Sequence, residues 1–313
     1  MGEKIFRHIL VPLDGSRLAE SALTNAVGLA RKMDAQMTLV HIIEKNAPSG
    51  VHNDRHLVTP EEATTYLQEV SHRPALSGLR VETHVHTTEV SDVARSIAEH
   101  SAELAPDLIV MCTHGKGGAR GLFFGVIAQQ VISLGTTPVL MVRPSKEPQV
   151  VGTAGDIRTI LAPTDGDPGH EKGLPLATQI AIAFHSRVHL LMVVPKLRNL
   201  TGLKAATSLL LPGATRFNLE TESEGARMYL DQRAADLNRQ GVLADYETSR
   251  GDPARAITAS ARRLSADLLV MGTHGRAGAD AFWAGSVAAR VVAHIQVPLM
   301  LVPLGNNDEL RTL

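Results

Sequence analysis

Short apolar runs alternate along this chain with segments whose apolar positions recur at helical spacing, and the whole alternation happens twice. Ile5–Leu13 is an apolar run closed by Asp14-Gly15-Ser16; too short for a helix and bounded by turn residues, it predicts a buried strand. Ser16 can cap a helix, and Leu18, Ala22, Leu23, Ala26, Leu29 and Ala30 then share one helical face. Gln36–Ile43 predicts a second strand, continuously apolar as buried parallel strands are. Residues 45–60 carry Pro48, Gly50 and Pro60 and read as loop. A helical segment over Glu61–Val70 comes next and meets its limit at Pro74. Leu79–His86 alternates and predicts a half-buried or edge strand. A helix over Asp92–Leu104, a strand over Asp107–Thr113, a helix over Gly125–Leu134 and a strand over Pro138–Val142 complete the first set.

Ser145–Asp156 has the composition of a linker, after which the pattern restarts. Ile157–Asp165 repeats the first strand and Ser186–Val194 the second, and 195–221 reads as a Gly/Pro-punctuated insertion. A helix over Glu222–Arg239, a strand over Val242–Thr248 and a helix over Ala254–Leu264 come next. The apolar run Leu268–Met271 then breaks at Gly272, and Gly285-Ser286 opens another helix. A strand over Val297–Val302 and a polar tail from Asn306 end the chain. From Ser91 to Pro138 the two sets align without a gap at an offset of 160, whereas Asp14 and Asp165 stand 151 apart. The second set therefore holds a net insertion of nine residues.

Alternating strands and helices predict an α/β protein. The expectation is two tandem open parallel-sheet domains, 1–145 and 156–304, with right-handed crossovers and helices on both faces. Ligands of such sheets bind at the carboxyl ends of strands, which makes the turns at Asp165 and at Gly272–Gly275 neighbours. A strand, a glycine loop and a helix start together offer bare N–H groups to an anion.

Composition narrows the function. Lys+Arg number 31 against 32 Asp+Glu, and aromatics are 3%, which argues against a nucleic-acid binder and its stacking platforms. The one cysteine, Cys112, excludes an internal disulfide or a thiolate metal cage. No secretory signal and no membrane span is visible in the sequence, so a cytoplasmic protein is expected.

At these residues the chain resembles the universal stress protein family in its tandem two-domain form. The family's nucleotide motif is Gly, two residues, Gly, nine residues, Gly, then Ser or Thr, after a strand. The second copy matches it through Gly272, Gly275, Gly285 and Ser286. The resemblance implies five-stranded sheets of order 3-2-1-4-5 and ATP as ligand, with Mg an optional companion. It also implies a dimer contact through strand five, which a tandem chain can satisfy between its own halves; a homo-oligomer, a dimer, is expected. The implied site comprises Pro163, Thr164, Asp165, Val193, Met271, Gly272, His274, Gly275, Arg276, Gly285, Ser286 and Val287. Asp165 corresponds to the family's first-strand aspartate and Val193 to an adenine-pocket position. The glycines allow close backbone approach, and Ser286 adds a hydroxyl at a helix start.

The first copy departs from the motif. Cys112 replaces the first glycine and Val126 the hydroxyl residue, while Asp14, Gly115 and Gly125 remain as weaker candidates. Losing one charge-assisted hydrogen bond costs roughly 1.5–3 kcal/mol, so nucleotide binding there is expected to be weakened, absent or replaced by another ligand. Asp165 is a ribose contact or a helix cap, Arg276 a phosphate contact or a solvated cation, and His114 and His274 phosphate contacts or turn supports. His84 and His86 share a strand face, a spacing a metal would accept, but the second copy has no such pair and surface or edge histidines are favoured; no metal site is assigned. Cys112 reads as a buried filler. No catalytic residue is assigned. A regulatory ATP binder is favoured over a slow ATPase or phosphotransferase, since GxxxxGK[ST] is missing, and over a non-enzymatic interaction scaffold.

Overall fold

The computed structural model describes residues 5–45, 50–51, 54–55, 57–112, 126–143, 157–167, 170–194, 210–274 and 286–304. The first repeat contributes β1 (His8–Pro12), α1 (Arg17–Met33), β2 (Gln36–Glu44), β3 (Gly50–Val51), β4 (Asp54–Arg55), α2 (Pro60–Ser71), β5 (Val81–Val90), α3 (Val93–Leu104), β6 (Leu108–Cys112), α4 (Val126–Leu134) and β7 (Val139–Val142). The second contributes β8 (Thr159–Thr164), α5 (Gly173–Phe184), β9 (Arg187–Val194), α6 (Pro212–Arg239), β10 (Ala244–Arg250), α7 (Pro253–Arg263), β11 (Leu268–His274), α8 (Val287–His294) and β12 (Leu299–Leu304). The linker expected over 145–156 lies outside the described residues.

Two compact units divide these elements. In the first, β5, β2, β1, β6 and β7 pair in parallel in that order, which is 3-2-1-4-5 once the two-residue hairpin β3–β4 is set aside. β12 also belongs to this unit and runs antiparallel to β7, with Leu299 opposite Met141 and Leu301 opposite Val139. The second unit holds β10, β9, β8 and β11, again in parallel. The fold is α/β with a mostly parallel sheet, as the alternation implied, and each repeat supplies five strands of it.

Burial explains why these segments became strands. Met37–Ile43 of β2 is buried at every position, as a strand flanked on both sides and covered on both faces must be. β5, at the edge of its unit, exposes Glu82, Thr83 and Thr87–Glu89, and its alternation in sequence reflects that. Both repeats reuse the same backbone devices. Non-glycine residues with positive φ close the helix after strand one (Asp34, φ 49°; His185, φ 56°) and the helix before strand four (Ala105, φ 45°; Ser265, φ 49°). A carboxylate at the start of strand four clasps the start of strand one. Asp107 Oδ2 accepts from the N–H groups of Arg7 (2.6 Å) and His8 (3.0 Å), and Asp267 Oδ2 from those of Arg158 and Thr159 (both 2.9 Å). Asp92 and Asp252 cap α3 and α7, each accepting from the N–H three residues on.

One helix is longer than its sequence suggests. The expected helix over Glu222–Arg239 begins at Pro212, where a proline at the first turn suits a helix start. Leu211 just before it and Phe217 in its second turn are exposed, the latter at 69%, so these positions carry no apolar face toward the core. β10 also runs two residues further than expected, to Arg250.

The two units differ on the face of strand three. In the first, His84 and His86 of β5 pack against His100 of α3, with ring centroids 4.8 and 4.9 Å away. In the second, the position facing α7 is Glu247, which accepts from Ser260 Oγ at 2.5 Å. Burial, then the charges of His100 and His86, hold His84 below the ordinary imidazole value, with Glu103 opposing. An unfolded chain therefore takes up that proton first, and stability falls as pH drops below about 6.5. We expect the urea midpoint to fall between pH 7 and 5 and the fall to shrink in His84→Gln. Asp267→Ala leaves two strand-one N–H groups without their carboxylate and should cost roughly 1.5–3 kcal/mol in the same urea titration.

Candidate functional site

In the second unit β8 runs between β9 and β11. Pro163 and Thr164, the last residues of β8, lie opposite Leu191 and Met192 of β9 and are half-buried. Asp165 leaves the strand with 59% of its side chain exposed. Its Oδ1 accepts the Asp167 N–H at 3.0 Å and its Oδ2 bonds His170 Nδ1 at 2.7 Å. Gly166 makes the turn with φ 83°, a conformation that glycine adopts without steric cost. Thr164 Oγ1 accepts the Gly166 N–H at 3.1 Å and donates to Glu171 Oε1 at 3.4 Å.

Glu171 anchors the rim. Its side chain is 12% exposed and pairs with Arg233 Nη2 of α6 at 3.1 Å. Burial raises its carboxyl above the usual range, against the opposing pull of Arg233 and of the Thr164 hydroxyl. Arg233 in turn lies 5.2 Å from the Tyr229 ring centroid and donates from Nε to the Tyr229 hydroxyl. The first unit repeats the pair: Glu20, 151 residues before Glu171, takes both Arg73 Nη groups at 2.8 Å.

β11 supplies the other wall. Met271 is buried, Gly272 half-buried, and Thr273 is 2% exposed with no partner for its Oγ1 among the described residues. α5 starts directly on this backbone: a Cβ on Gly173 would lie 3.0 Å from Gly272 N and 3.1 Å from Met271 C. Val193 of β9 is half-buried. Ser286 caps α8 in extended conformation (φ −64°, ψ 152°), its Oγ accepting the Ala289 N–H at 3.1 Å, and Val287 is the first helical residue. That bond uses an oxygen lone pair and leaves the hydroxyl proton to be donated elsewhere. Arg290, one turn along α8, ties the helix to Asp252, whose carboxyl is lowered first by the Arg255 N–H and then by Arg290.

Pro163 and Thr164 end β8, Asp165 follows it, Val193 is the penultimate residue of β9, and Ser286 and Val287 stand at the start of α8. Met271 and Gly272 lie within β11, which runs through the break expected at Gly272 as far as His274. Gly275, Arg276 and Gly285, like Gly115 and Gly125 of the first copy, lie outside the described residues. Asp14 is described, and its Oδ1 takes both the N–H (2.9 Å) and the hydroxyl (2.6 Å) of Ser16. In the second copy Asp167 stands where Ser16 would, so Asp165 is held differently. The sequence reading missed Gly173, Glu171, Arg233 and Thr273. The recurrence of Glu20 as Glu171 was the available signal; nothing in sequence marked Gly173. Among the described residues no group of three or more His, Cys, Asp and Glu is placed to hold a metal ion. No described helix is long and apolar enough to cross a membrane.

A mostly parallel α/β sheet defines the class, and comparison with known proteins defines the family. The universal stress protein family model matches residues 5–143 and again 156–303. A universal stress protein of Methanocaldococcus jannaschii is 29% identical over 153 residues, covering 47% of this chain and 88% of its own length. The universal stress protein E homolog of Haemophilus influenzae is 25% identical over 321 residues, covering 97% of this chain and 99% of its own. The crystal structure of a universal stress protein from Archaeoglobus fulgidus superposes with a TM-score of 0.66 at 15% identity, covering 97% of this chain and 98% of that one. The chain belongs to the universal stress protein family, as a tandem of two such segments.

Two substitutions probe this wall. Thr273→Val removes a buried hydroxyl with no described partner, so the empty protein should melt at the same temperature or higher. Gly173→Ala forces a Cβ onto backbone and should destabilise by about 1–3 kcal/mol, read as a lower urea midpoint.

Proposed function

We propose that this protein binds ATP in its second unit and acts as a nucleotide-dependent stress-response regulator. The Ser286 hydroxyl carries the reading: it caps α8 yet keeps a proton to donate, at a helix start where N–H groups favour anions. The motif continues through Gly272, Gly275, Arg276, Gly285 and Val287, with His274 beside it. Asp165 faces the ribose, and Pro163, Thr164, Val193 and Met271 border the base. Mg would accompany the phosphates. In the first copy Val126 begins α4 where the second copy has a hydroxyl cap, and Asp14, Gly115 and Gly125 remain there as secondary contacts.

The regulatory role rests on ligand linkage. Bound nucleotide shifts the protein toward whichever conformation binds it more tightly, and a partner senses that shift. Hydrolysis is weak at most, because the chain lacks GxxxxGK[ST]. We further propose two domains near 1–145 and 156–304, a homodimer, and a cytoplasmic location with neither nucleic acid nor membrane as partner.

Calorimetry of the full chain with Mg-ATP tests the site. One nucleotide per chain is expected, with affinity lowered tenfold to a hundredfold in Ser286→Val, the loss of one charge-assisted bond. An unaltered isotherm in that variant would sink the assignment.

A further inference from the structure

The two copies leave strand one differently. In the first, α1 starts at Arg17, three residues after Asp14, and Ser16 caps it by accepting the Ala19 N–H. In the second, α5 starts only at Gly173, eight residues after Asp165, and no side chain caps it. The position 151 residues on from Ala19 is His170. Ala19 is buried within α1, whereas His170 precedes α5 and brings its imidazole to Asp165.

That contact fixes a carboxylate. Oδ2 of Asp165 bonds His170 Nδ1 at 2.7 Å, and because a carboxylate only accepts, Nδ1 is the donor. The backbone holds the other oxygen, Oδ1 accepting the Asp167 N–H at 3.0 Å. In the first copy both contacts, from the Ser16 N–H and hydroxyl, fall on the single oxygen Oδ1 of Asp14. The turn that carries His170 is tied down in its turn. Its N–H donates to the Asp167 carbonyl at 2.9 Å, and the next residue, Glu171, accepts from Thr164 and pairs with Arg233. Each carboxylate oxygen can accept two bonds, so one contact on each leaves capacity for two neighbouring ligand hydroxyls.

We propose that His170 is a positioning residue for a vicinal diol: it fixes the Asp165 carboxylate, and so makes the second unit select ribonucleotides over nucleotides that lack the ribose hydroxyls. This rests on the nucleotide reading of the second unit and adds to it the source of sugar selectivity. An exposed aspartate on a turn otherwise samples several rotamers, and ordering it on binding would weaken the contact.

Calorimetry on the full chain compares Mg-ATP with its 2′,3′-dideoxy analogue in wild-type, His170→Ala and His170→Asn proteins. Wild-type protein should prefer ATP about tenfold or more, the worth of two hydroxyl contacts. His170→Ala should cut that preference roughly threefold to tenfold by weakening ATP alone. His170→Asn, whose amide N–H can replace Nδ1–H, should restore it. An unchanged preference in His170→Ala, an equal loss for both ligands, or tighter ATP binding there would each overturn the proposal while the nucleotide site stands. Wild-type protein that binds both ligands equally would overturn it with no variant needed. Wild-type protein that binds neither would remove the nucleotide reading as well.

Discussion

A single carboxylate at the foot of strand four sets the geometry of each half. Strands one and four come from distant parts of the repeat, and the crevice exists only because they lie side by side. Asp107 and Asp267 hold that junction by accepting two successive N–H groups before strand one enters the ladder. Charge-assisted bonds of this kind are stronger than the neutral ladder bonds they precede. With the feet of the strands fixed, strand one ends beside its neighbours in a turn, and there the chain places Asp14 and Asp165.

On this shared frame the copies have drifted where chemistry is exposed and agreed where packing is not. The glutamate–arginine pair recurs, as do the positive-φ helix ends and the aspartate caps. The residues just after the strand-one aspartate differ: Ser16 in one copy, Asp167 and His170 in the other. The partners on strand three differ as well, imidazoles against a carboxylate. Neither set of changes disturbs the frame that the two copies share.

How legible this was in the sequence depends on the kind of force involved. β1, β2, β8 and β9 were plain, because burial on both faces demands unbroken apolar runs. The early turns of α6 were not, because an exposed segment with Leu211 and Phe217 outside leaves no periodic trace. Helix caps such as Ser16 and Ser286 could be read from residue type and place. Gly173 could not: its requirement comes from a backbone far along the chain, 3.0 Å from where a Cβ would stand. Thr273 was likewise silent, since a threonine in a strand is ordinary until its hydroxyl is found without a described partner.

β12 has a consequence for how the repeats can be parted. It is the closing strand of the second copy, yet it completes the first unit against β7. Removing everything after the first copy would strip β7 of that neighbour and bare an apolar edge, Val139 to Val142, as a template for other chains. The gene's duplication boundary and the molecule's folding boundary therefore do not coincide.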